Sequence, residues 1–271
     1  PILDEKKDIK FFVSVERNIT KEKQIDRAKS EFVSLASHQL RTPLSTVSWY
    51  AEMLLAGDAG VLNAEQKNYV EEIYQGNRRM VELVNALLNV SRLELGSFIV
   101  EPEPTHLIPI AESVLAEVKP LSEKKQVTIT QKFAPDLPVF NVDPKLLRII
   151  FQNLLSNAVK YTPEKGTVAL DVALDESKQN VSIKVTDTGY GIPRDQQEKI
   201  FTKLFRADNV KDLDAEGTGL GLYIVKSIIE QFKGKVWFES VLNKGTTFTV
   251  MVPLEGMQKK EGRTKLSESI Y

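Results

Sequence analysis

The residues around His38 have the types and spacing that nucleophilic chemistry needs. His38 lies in the segment SHQLRTPLS, four residues before Thr42 and five before Pro43. A neutral imidazole is a competent nucleophile near pH 7. A proline within a helix removes one backbone hydrogen bond and costs about 3 kcal/mol, so the backbone just past His38 is predicted to be strained or mobile. The alternative is a surface histidine beside a proline kink.

The segment NLLSNAVKYT has the residues to hold a metal ion and phosphate. Asn153 and Asn157 lie one helical turn apart, and Lys160 follows three residues later. Amide oxygens can ligate Mg²⁺, whose usual coordination combines a few protein oxygens with waters and nucleotide phosphates. The alternative is an ordinary polar face of a helix.

A short turn in VTDTGYGIP follows a predicted strand and joins a carboxylate to two glycines. Gly189 and Gly191 let the backbone approach a ligand closely. The carboxylate of Asp187 can accept a hydrogen bond from an exocyclic amine such as that of adenine. Plain turn chemistry is the alternative.

The segment EGTGLGLYIV places Gly217, Gly219 and Gly221 where a loop becomes a helix. Backbone N–H groups and the helix dipole at such a junction bind phosphate. The segment is not a Walker A loop, because it lacks G-K-[ST], and no strand directly precedes it as in a Rossmann fingerprint.

About 25 residues separate the two glycine segments and predict a mobile lid over a nucleotide. They include Phe201 and Phe205 in KIFTKLFRADN, followed by the polar run NVKDLDAEG. Arg206 is a candidate phosphate contact. Simple core packing of the two phenylalanines is the alternative.

The composition excludes several other classes of site. The chain has 271 residues, 36 of them basic and 37 acidic, so no global field attracts nucleic acid or an acidic membrane. The absence of cysteine excludes disulfides, thiol nucleophiles and cysteine-ligated zinc. With His38 and His106 as the two histidines, a histidine-rich metal site is disfavoured. No apolar run reaches the ~18 residues of a membrane span, so we expect a soluble, cytoplasmic chain without membrane contact.

Residues 21–96 predict an antiparallel hairpin of two amphipathic helices. The first runs from about Lys21 to Ala56, and a capping box of Asn63 and Gln66 opens the second, which ends near Gly96. A hairpin alone cannot bury both apolar stripes, so we expect two copies to pair into a dimeric four-helix bundle. The two stripes comprise Ile25, Phe32, Leu35, Val47, Tyr50 and Leu54, and then Tyr69, Val70, Ile73, Met80, Leu83, Val84, Leu87 and Leu88.

Residues 97–255 predict an α+β domain with helices on one face of a largely antiparallel sheet. The predicted strands are Val127–Lys132, Thr167–Ala173, Val181–Thr186, Lys235–Glu239 and Thr246–Val252. The predicted helices are Leu107–Glu123, Pro144–Tyr161 and Gly219–Phe232. Residues 256–271 are polar and aperiodic, and we expect them to be disordered.

Five segments in a fixed order along the chain make the sequence similar to sensor histidine kinases of the HisKA type. In that order, SHQLRTPLS resembles the phosphoacceptor box, NLLSNAVKYT the N box, DTGYGIP the first glycine box, FTKLFR the F box and GTGLGL the second glycine box. The resemblance covers residues 21 to about 253. It implies a dimeric hairpin bundle that carries the acceptor histidine, followed by an α/β sandwich domain of the Bergerat type that binds ATP.

The resemblance implies that His38 takes a phosphoryl group from Mg-ATP on Nε2 and passes it to an aspartate of a response regulator. Gln39 departs from the family pattern, which commonly has Glu or Asp directly after the histidine. Its amide oxygen can fix the imidazole tautomer but cannot act as a general base, so slow kinase turnover is expected. Thr42 matches a threonine that in similar proteins orients water for dephosphorylation of the regulator, which favours phosphatase activity.

The resemblance also implies roles in the nucleotide site. Asn157, with Asn153, would hold Mg²⁺, and Lys160 would contact phosphate. Tyr161 would flank the nucleotide, and Asp187 would bind the adenine N6 amine. The complete implied site comprises Asn153, Asn157, Lys160, Tyr161, Asp187, Gly189, Gly191, Phe205, Arg206, Gly217, Thr218, Gly219, Leu220 and Gly221.

Residues 1–20 resemble the closing strand of a PAS sensor domain with its D-I-T exit motif. Phe12, Val13 and Val15 suit a strand, and Asn18 stands where the motif has Asp. Twenty residues cannot bury a core of their own, so we interpret this stretch as the remnant of an upstream sensor domain.

Other function classes stay open at this point. An ATP-driven conformational machine is one, because gyrase, mismatch-repair and chaperone ATPases share this nucleotide fold. Those proteins resemble one another in having Glu at the first N-box position, where this chain has Asn153, so rapid hydrolysis is disfavoured. A kinase-weak, phosphatase-dominant enzyme and a catalytically silent scaffold are the remaining alternatives.

Overall fold

A computed structural model describes residues 2–3, 9–11, 20–211, 217–262 and 265–266. At the N-terminal end, strand β1 (Ile2–Leu3) pairs antiparallel with strand β2 (Ile9–Phe11). The strand predicted around residues 12–15, and Asn18 of the exit motif, lie outside the described residues.

The helical hairpin is confirmed. Helix α1 spans Thr20–Ala56 and helix α2 spans Ala64–Glu94. The predicted capping box opens α2: the Asn63 side chain accepts from Gln66 N at 2.9 Å, and the Gln66 side chain accepts from Asn63 N at 3.0 Å. Two N–H groups that have no partner within the helix are satisfied in this way, so α2 begins where the sequence predicts.

Both predicted apolar stripes remain largely uncovered in the single chain. Antiparallel contact between α1 and α2 buries one side of each helix and leaves another side open. More than half of the residue surface is exposed at Phe32, Leu35, Tyr50, Tyr69, Ile73, Met80 and Leu87. A contiguous apolar surface of this kind marks an interaction site on a soluble protein.

The last turns of α2 belong to the second domain as much as to the hairpin. Ala86, Val90 and Leu93 are buried in the same apolar cluster as the core of that domain. An exposed ion pair joins Lys203 to Glu94 at the end of α2. The helix therefore connects the two parts of the chain without a flexible break.

The second domain is a five-stranded sheet covered on one face by helices. The strand order is β4 (Thr128–Phe133), β6 (Thr167–Leu174), β7 (Asn180–Asp187), β9 (Gly245–Pro253) and β8 (Lys235–Val241). β4 and β6 are parallel, and the other pairs are antiparallel. The main helices are α3 (Leu107–Lys124), α4 (Pro144–Lys160) and α6 (Gly221–Gln231). All predicted helices and strands of this domain are present, with ends shifted by one or two residues.

Alternation along the central strand explains why the sheet has one covered face. Val181, Ile183 and Val185 of β7 are buried, and the residues between them are more accessible. Successive side chains of a strand point to opposite faces, so these three pack beneath α4 in the core cluster.

Several short elements were not predicted. β3 (Glu103–Thr105) pairs antiparallel with β5 (Phe140–Val142). A 3-10 helix covers Arg194–Lys199, and α5 covers Asp208–Lys211. Each is too short to show periodicity. Among the described residues, none of the helices combines the length and apolar character that a membrane crossing requires.

The prediction of a disordered C-terminal end was wrong for residues 256–262 and 265–266, here called the C-terminal segment. Val100 N donates to Lys260 O at 3.0 Å, and Lys260 N donates back to Val100 O at 3.2 Å. Arg92 of α2 donates from Nη1 to Lys265 O at 3.0 Å, and Met257 is buried. Backbone partners in the stretch after α2 order this polar segment, and such partners leave no periodic signal in the sequence.

Candidate nucleotide-binding site

One pocket in the second domain gathers most of the residues that the sequence analysis assigned to a nucleotide. It encloses about 990 Å³ of empty volume, a figure that includes solvent space at its open mouth. Its wall includes the predicted residues Asn157, Lys160, Tyr161, Asp187, Gly191, Phe205, Arg206, Gly217, Thr218, Gly219 and Gly221.

Three predicted residues do not line the pocket. Asn153 has no exposed surface, and its Nδ2 donates to Ile149 O at 2.7 Å. Leu220 is buried. A Cβ on Gly189 would lie 2.4 Å from the carbonyl oxygen of Tyr161, so Gly189 lets two backbone segments approach each other behind the pocket wall. The structure brings Asn157, and not Asn153, to the surface of the pocket.

The start of helix α4 is fixed by its N-cap, and this start determines which residues near the other end of the helix reach the pocket. Asp143 caps the helix and accepts from Lys145 N at 3.0 Å, and Pro144 takes the first helical position, where no N–H is needed. The inner face of α4 is buried against the sheet. Asn157 and Lys160, near the C-terminal end, lie where that face emerges at the pocket.

Asp187, the last residue of β7, is the buried carboxylate of the site. It is 8% exposed, and its Oδ1 accepts from Gly189 N at 2.8 Å and from Thr246 N at 3.1 Å. Burial raises the pKa of Asp187 to about 6, although both backbone hydrogen bonds lower it. Both bonds end on Oδ1, so within the described part of the chain Oδ2 is available to a donor group of a ligand.

Two glycines of the wall have backbones that other residues rarely adopt. Gly191 has φ +64° and Gly219 has φ +67°. A Cβ on Gly191 would lie 2.2 Å from Val241 O, and one on Gly219 would lie 2.8 Å from the carbonyl carbon of Leu204. These positions require glycine, and the second leads directly to the N-terminus of α6, where N–H groups are oriented for phosphate.

The two phenylalanines of the predicted lid have different surroundings. Phe201 packs edge-on against Phe238 and Phe248, with ring centroids 5.8 and 6.4 Å away, so core packing accounts for it. Phe205 and Arg206 line the pocket. Residues 212–216 of the predicted lid lie outside the described residues.

The sequence analysis missed the part of the wall that comes from other elements. Thr246 lies opposite Asp187 in the β7–β9 register, which sequence pairing of the two strands could have indicated. Glu82 comes from α2 of the hairpin, and no local pattern signals its approach to a pocket in another domain.

The hairpin brings the predicted acceptor turn to the level of this pocket. Asn77 of α2 lies opposite Leu44 and Ser48 of α1. Antiparallel helices advance by the same 1.5 Å per residue, so Glu82, five residues after Asn77, is about level with residues 39–43 of α1, which directly follow His38. The backbone of this turn is helical, and the His38 side chain lies outside what the structure describes.

Gln39 and Thr42 are exposed on α1. The carbonyl oxygen of Thr42 accepts from the Thr46 hydroxyl at 3.0 Å. Both residues are therefore accessible to a partner that approaches the hairpin from solvent, and neither lines the pocket.

Two family models match the chain, one for each part. The model of the His Kinase A (phospho-acceptor) domain matches residues 28–96. The model described as histidine kinase-, DNA gyrase B- and HSP90-like ATPase matches residues 142–256. Together they cover the hairpin and most of the sheet domain.

Similar full-length proteins are sensor kinases. The circadian input-output histidine kinase CikA of Synechococcus elongatus is 36% identical over 231 residues, which are 83% of this chain and 30% of that protein. The sensor histidine kinase WalK of Bacillus subtilis is 30% identical over 249 residues, 92% of this chain and 40% of WalK. The crystal structure of full-length ShkA in complex with AMPPNP is similar with a TM-score of 0.70 and 28% identity, covering 88% of this chain and 47% of ShkA. The chain spans less than half the length of each.

Proposed function

Because the chain belongs to the sensor histidine kinases, we propose that it phosphorylates His38 from Mg-ATP and passes the phosphoryl group to an aspartate of a response regulator. The observation that carries the proposal is the position of the pocket, whose wall includes Glu82 of α2. Glu82 is about level with residues 39–43 of α1, so the pocket lies at the height along the hairpin of the residues that directly follow His38.

The residues of the pocket fit ATP. The Oδ2 of Asp187 suits the adenine amine, and the side chains of Lys160 and Arg206 suit phosphate. Asn157 supplies an oxygen for Mg²⁺, with waters and phosphates completing its coordination. When bound, Mg²⁺ would neutralise phosphate charge. The burial of Asn153 does not support its predicted role as a second ligand. The AMPPNP complex of the similar protein ShkA supports a nucleotide in this fold.

His38 and its neighbour divide the chemistry between them. Nε2 of the neutral imidazole forms a bond to the γ-phosphorus as the bond to the ADP oxygen breaks, which requires the proton on Nδ1. The amide oxygen of Gln39 can accept a hydrogen bond from Nδ1–H and hold that tautomer, but it cannot take up the proton, which stays on the phosphorylated imidazole until solvent water removes it. A slow kinase step follows.

We further propose that the chain acts as a cytoplasmic homodimer in which the exposed stripes of two hairpins pair. The uncovered apolar residues of α1 and α2 support this arrangement, because a second copy would bury them in a four-helix bundle. Light scattering should show a dimer, and a monomer at micromolar concentration would contradict the bundle.

Phosphatase activity toward the regulator is the second proposed activity. Thr42 is exposed one helical turn after His38, where its hydroxyl can orient a water. Thr42→Ala should slow dephosphorylation of a phosphorylated regulator and spare autophosphorylation. The regulator itself can be found by profiling phosphotransfer to candidate receiver domains.

Radiolabelled ATP tests the proposed kinase activity. The wild-type chain should acquire an acid-labile, base-stable label, whereas an ATPase machine would release free phosphate and a scaffold would do neither. His38→Ala should abolish the label and leave nucleotide affinity unchanged, because pocket and acceptor lie on different elements. The matched control is His106→Ala, since His106 is exposed and its side chain makes no capping bond. Acid-labile label in His38→Ala would overturn the assignment.

A further inference from the structure

Asn77 places a buried amide in the seam between α1 and α2. It is 2% exposed. Its Nδ2 donates to Leu44 O at 2.7 Å and to Ser48 Oγ at 2.7 Å. A buried polar group costs free energy unless it finds a partner, so these two bonds favour the one register of the helices in which Asn77 meets Leu44 and Ser48.

A contribution to folding stability does not by itself explain why position 77 is an asparagine. The Oδ1 atom of Asn77 is buried and has no hydrogen-bond partner among the described residues. An amide with one unsatisfied half stabilises less than an apolar side chain of similar size in the same seam. A single buried Asn in a helical seam is instead an effective way to fix register.

The register that Asn77 fixes is important because Asn77 binds α1 next to the proline break. Pro43 has no N–H, so the carbonyl oxygen of Gln39 loses its helical partner and α1 is weakened at this point. Leu44, which Asn77 binds, directly follows Pro43. The turn that carries His38 therefore lies on one side of the weak point, and Leu44, whose carbonyl oxygen Asn77 binds, lies on the other.

We propose that Asn77 is a positioning residue for phosphoryl transfer, which fixes α1 against α2 at the proline break and so sets the place of the His38 turn relative to the nucleotide pocket. Asn77 and Glu82 lie on the same helix, about 7.5 Å apart along its axis. The same short segment of α2 therefore binds α1 through Asn77 and contributes Glu82 to the pocket wall. The inference rests on the proposed role of His38 as acceptor.

Asn77→Leu tests the inference. It replaces the amide by an apolar side chain of similar volume, so the melting temperature and the dimer should be retained. The single-turnover rate of autophosphorylation at saturating ATP should fall on the order of tenfold, because small misplacement of reacting groups is costly. Nucleotide affinity, measured by calorimetry, should not change.

Three further variants separate positioning from general packing. Ser48→Ala removes one of the two acceptors from the α1 side and should slow the reaction less than Asn77→Leu. The double variant should be no slower than Asn77→Leu alone, since both changes remove the same interaction. The matched control is Tyr74→Phe, which deletes the bond from Tyr74 Oη to Glu52, 2.9 Å, between the same two helices at an exposed position. It should keep the wild-type rate.

A wild-type rate in Asn77→Leu would overturn the inference. A rate that falls only in proportion to lost dimer or lowered melting temperature would also overturn it, because packing would then be sufficient. An equal loss of rate in Tyr74→Phe would also overturn the inference. Retained label in His38→Ala, by contrast, would overturn the acceptor assignment and can be recognised before Asn77 is tested.

Discussion

At the scale of single residues, the two oxygens of Asp187 have different surroundings. Oδ1 accepts two backbone N–H groups, and Oδ2 is available to a ligand. In Asp187→Asn the amide oxygen would keep the two N–H donors, so Nδ2 would face the pocket and meet the adenine amine donor to donor. We expect ATP affinity to fall by about 10- to 100-fold, as for a buried unsatisfied donor.

Calorimetric titration with ATP measures this change. Asp171→Asn is the matched control, because Asp171 lies on the neighbouring strand β6 and outside the pocket. If Asp187→Asn binds ATP as the wild type does, Asp187 does not contact the base.

The raised pKa of Asp187 predicts a pH dependence. Because its folded pKa, about 6, lies above the ordinary value, its contribution to the free energy of unfolding is full at low pH and is lost as the pH rises through 6. Nucleotide binding should respond in the opposite direction, since protonation turns an acceptor into a donor. ATP affinity should therefore fall between pH 7 and pH 5. The same titration in Asp187→Asn should lose this dependence, and parallel curves for both proteins would contradict the assignment.

At the scale of elements, the loop that leads into α6 depends on Gly219. Alanine there would combine a left-handed backbone with a Cβ 2.8 Å from the carbonyl carbon of Leu204, and a backbone neighbour cannot rotate away. Gly219→Ala should weaken ATP binding and slow autophosphorylation. Gly76→Ala is the matched control: Gly76 lies within α2, its Cβ would meet only the Arg79 side chain at 3.5 Å, and alanine favours a helix. Normal labelling of Gly219→Ala would show that this loop does not contribute to the ATP site.

At the scale of the whole molecule, the C-terminal segment joins both domains. Its Lys265 carbonyl accepts from Arg92 of α2, and its Met257 and Leu266 are buried. Removal of residues 256–271 should lower the melting temperature by several degrees, since burial of each large apolar side chain contributes about 1.5–3 kcal/mol.

Differential scanning calorimetry measures this effect, and limited proteolysis should show faster cleavage around residues 97–101. Lys265→Ala is the control. It deletes only the exposed ion pair with Glu101, and such pairs contribute little. An unchanged melting temperature after truncation would show that the segment adds nothing to stability.

Long or capped elements were predictable from sequence, and approaches between distant segments were not. The capping box at Asn63 located the start of α2 because the signal is local. The pairing of β3 with β5 joins three-residue strands far apart in sequence. Asn153 and Asn157 share a helix face within 40°, yet one faces the core and the other the pocket, and this boundary is set by how α4 packs. Glu82 reaches the pocket through the arrangement of two domains, which periodicity does not encode.

Helix α2 runs unbroken from the hairpin into the core of the second domain, and this makes it a lever. Its fulcrum is the contact of Asn77 with α1, and its far arm ends at Glu94, which pairs with Lys203. A tilt of about 5° at the fulcrum would move the end of that arm, about 25 Å away, by about 2 Å. In-line transfer requires the reacting atoms within about 3–3.5 Å of each other. If His38 accepts the phosphoryl group as proposed, a rotation of a few degrees, delivered to the hairpin, would therefore be enough to switch the reaction between competent and incompetent geometry.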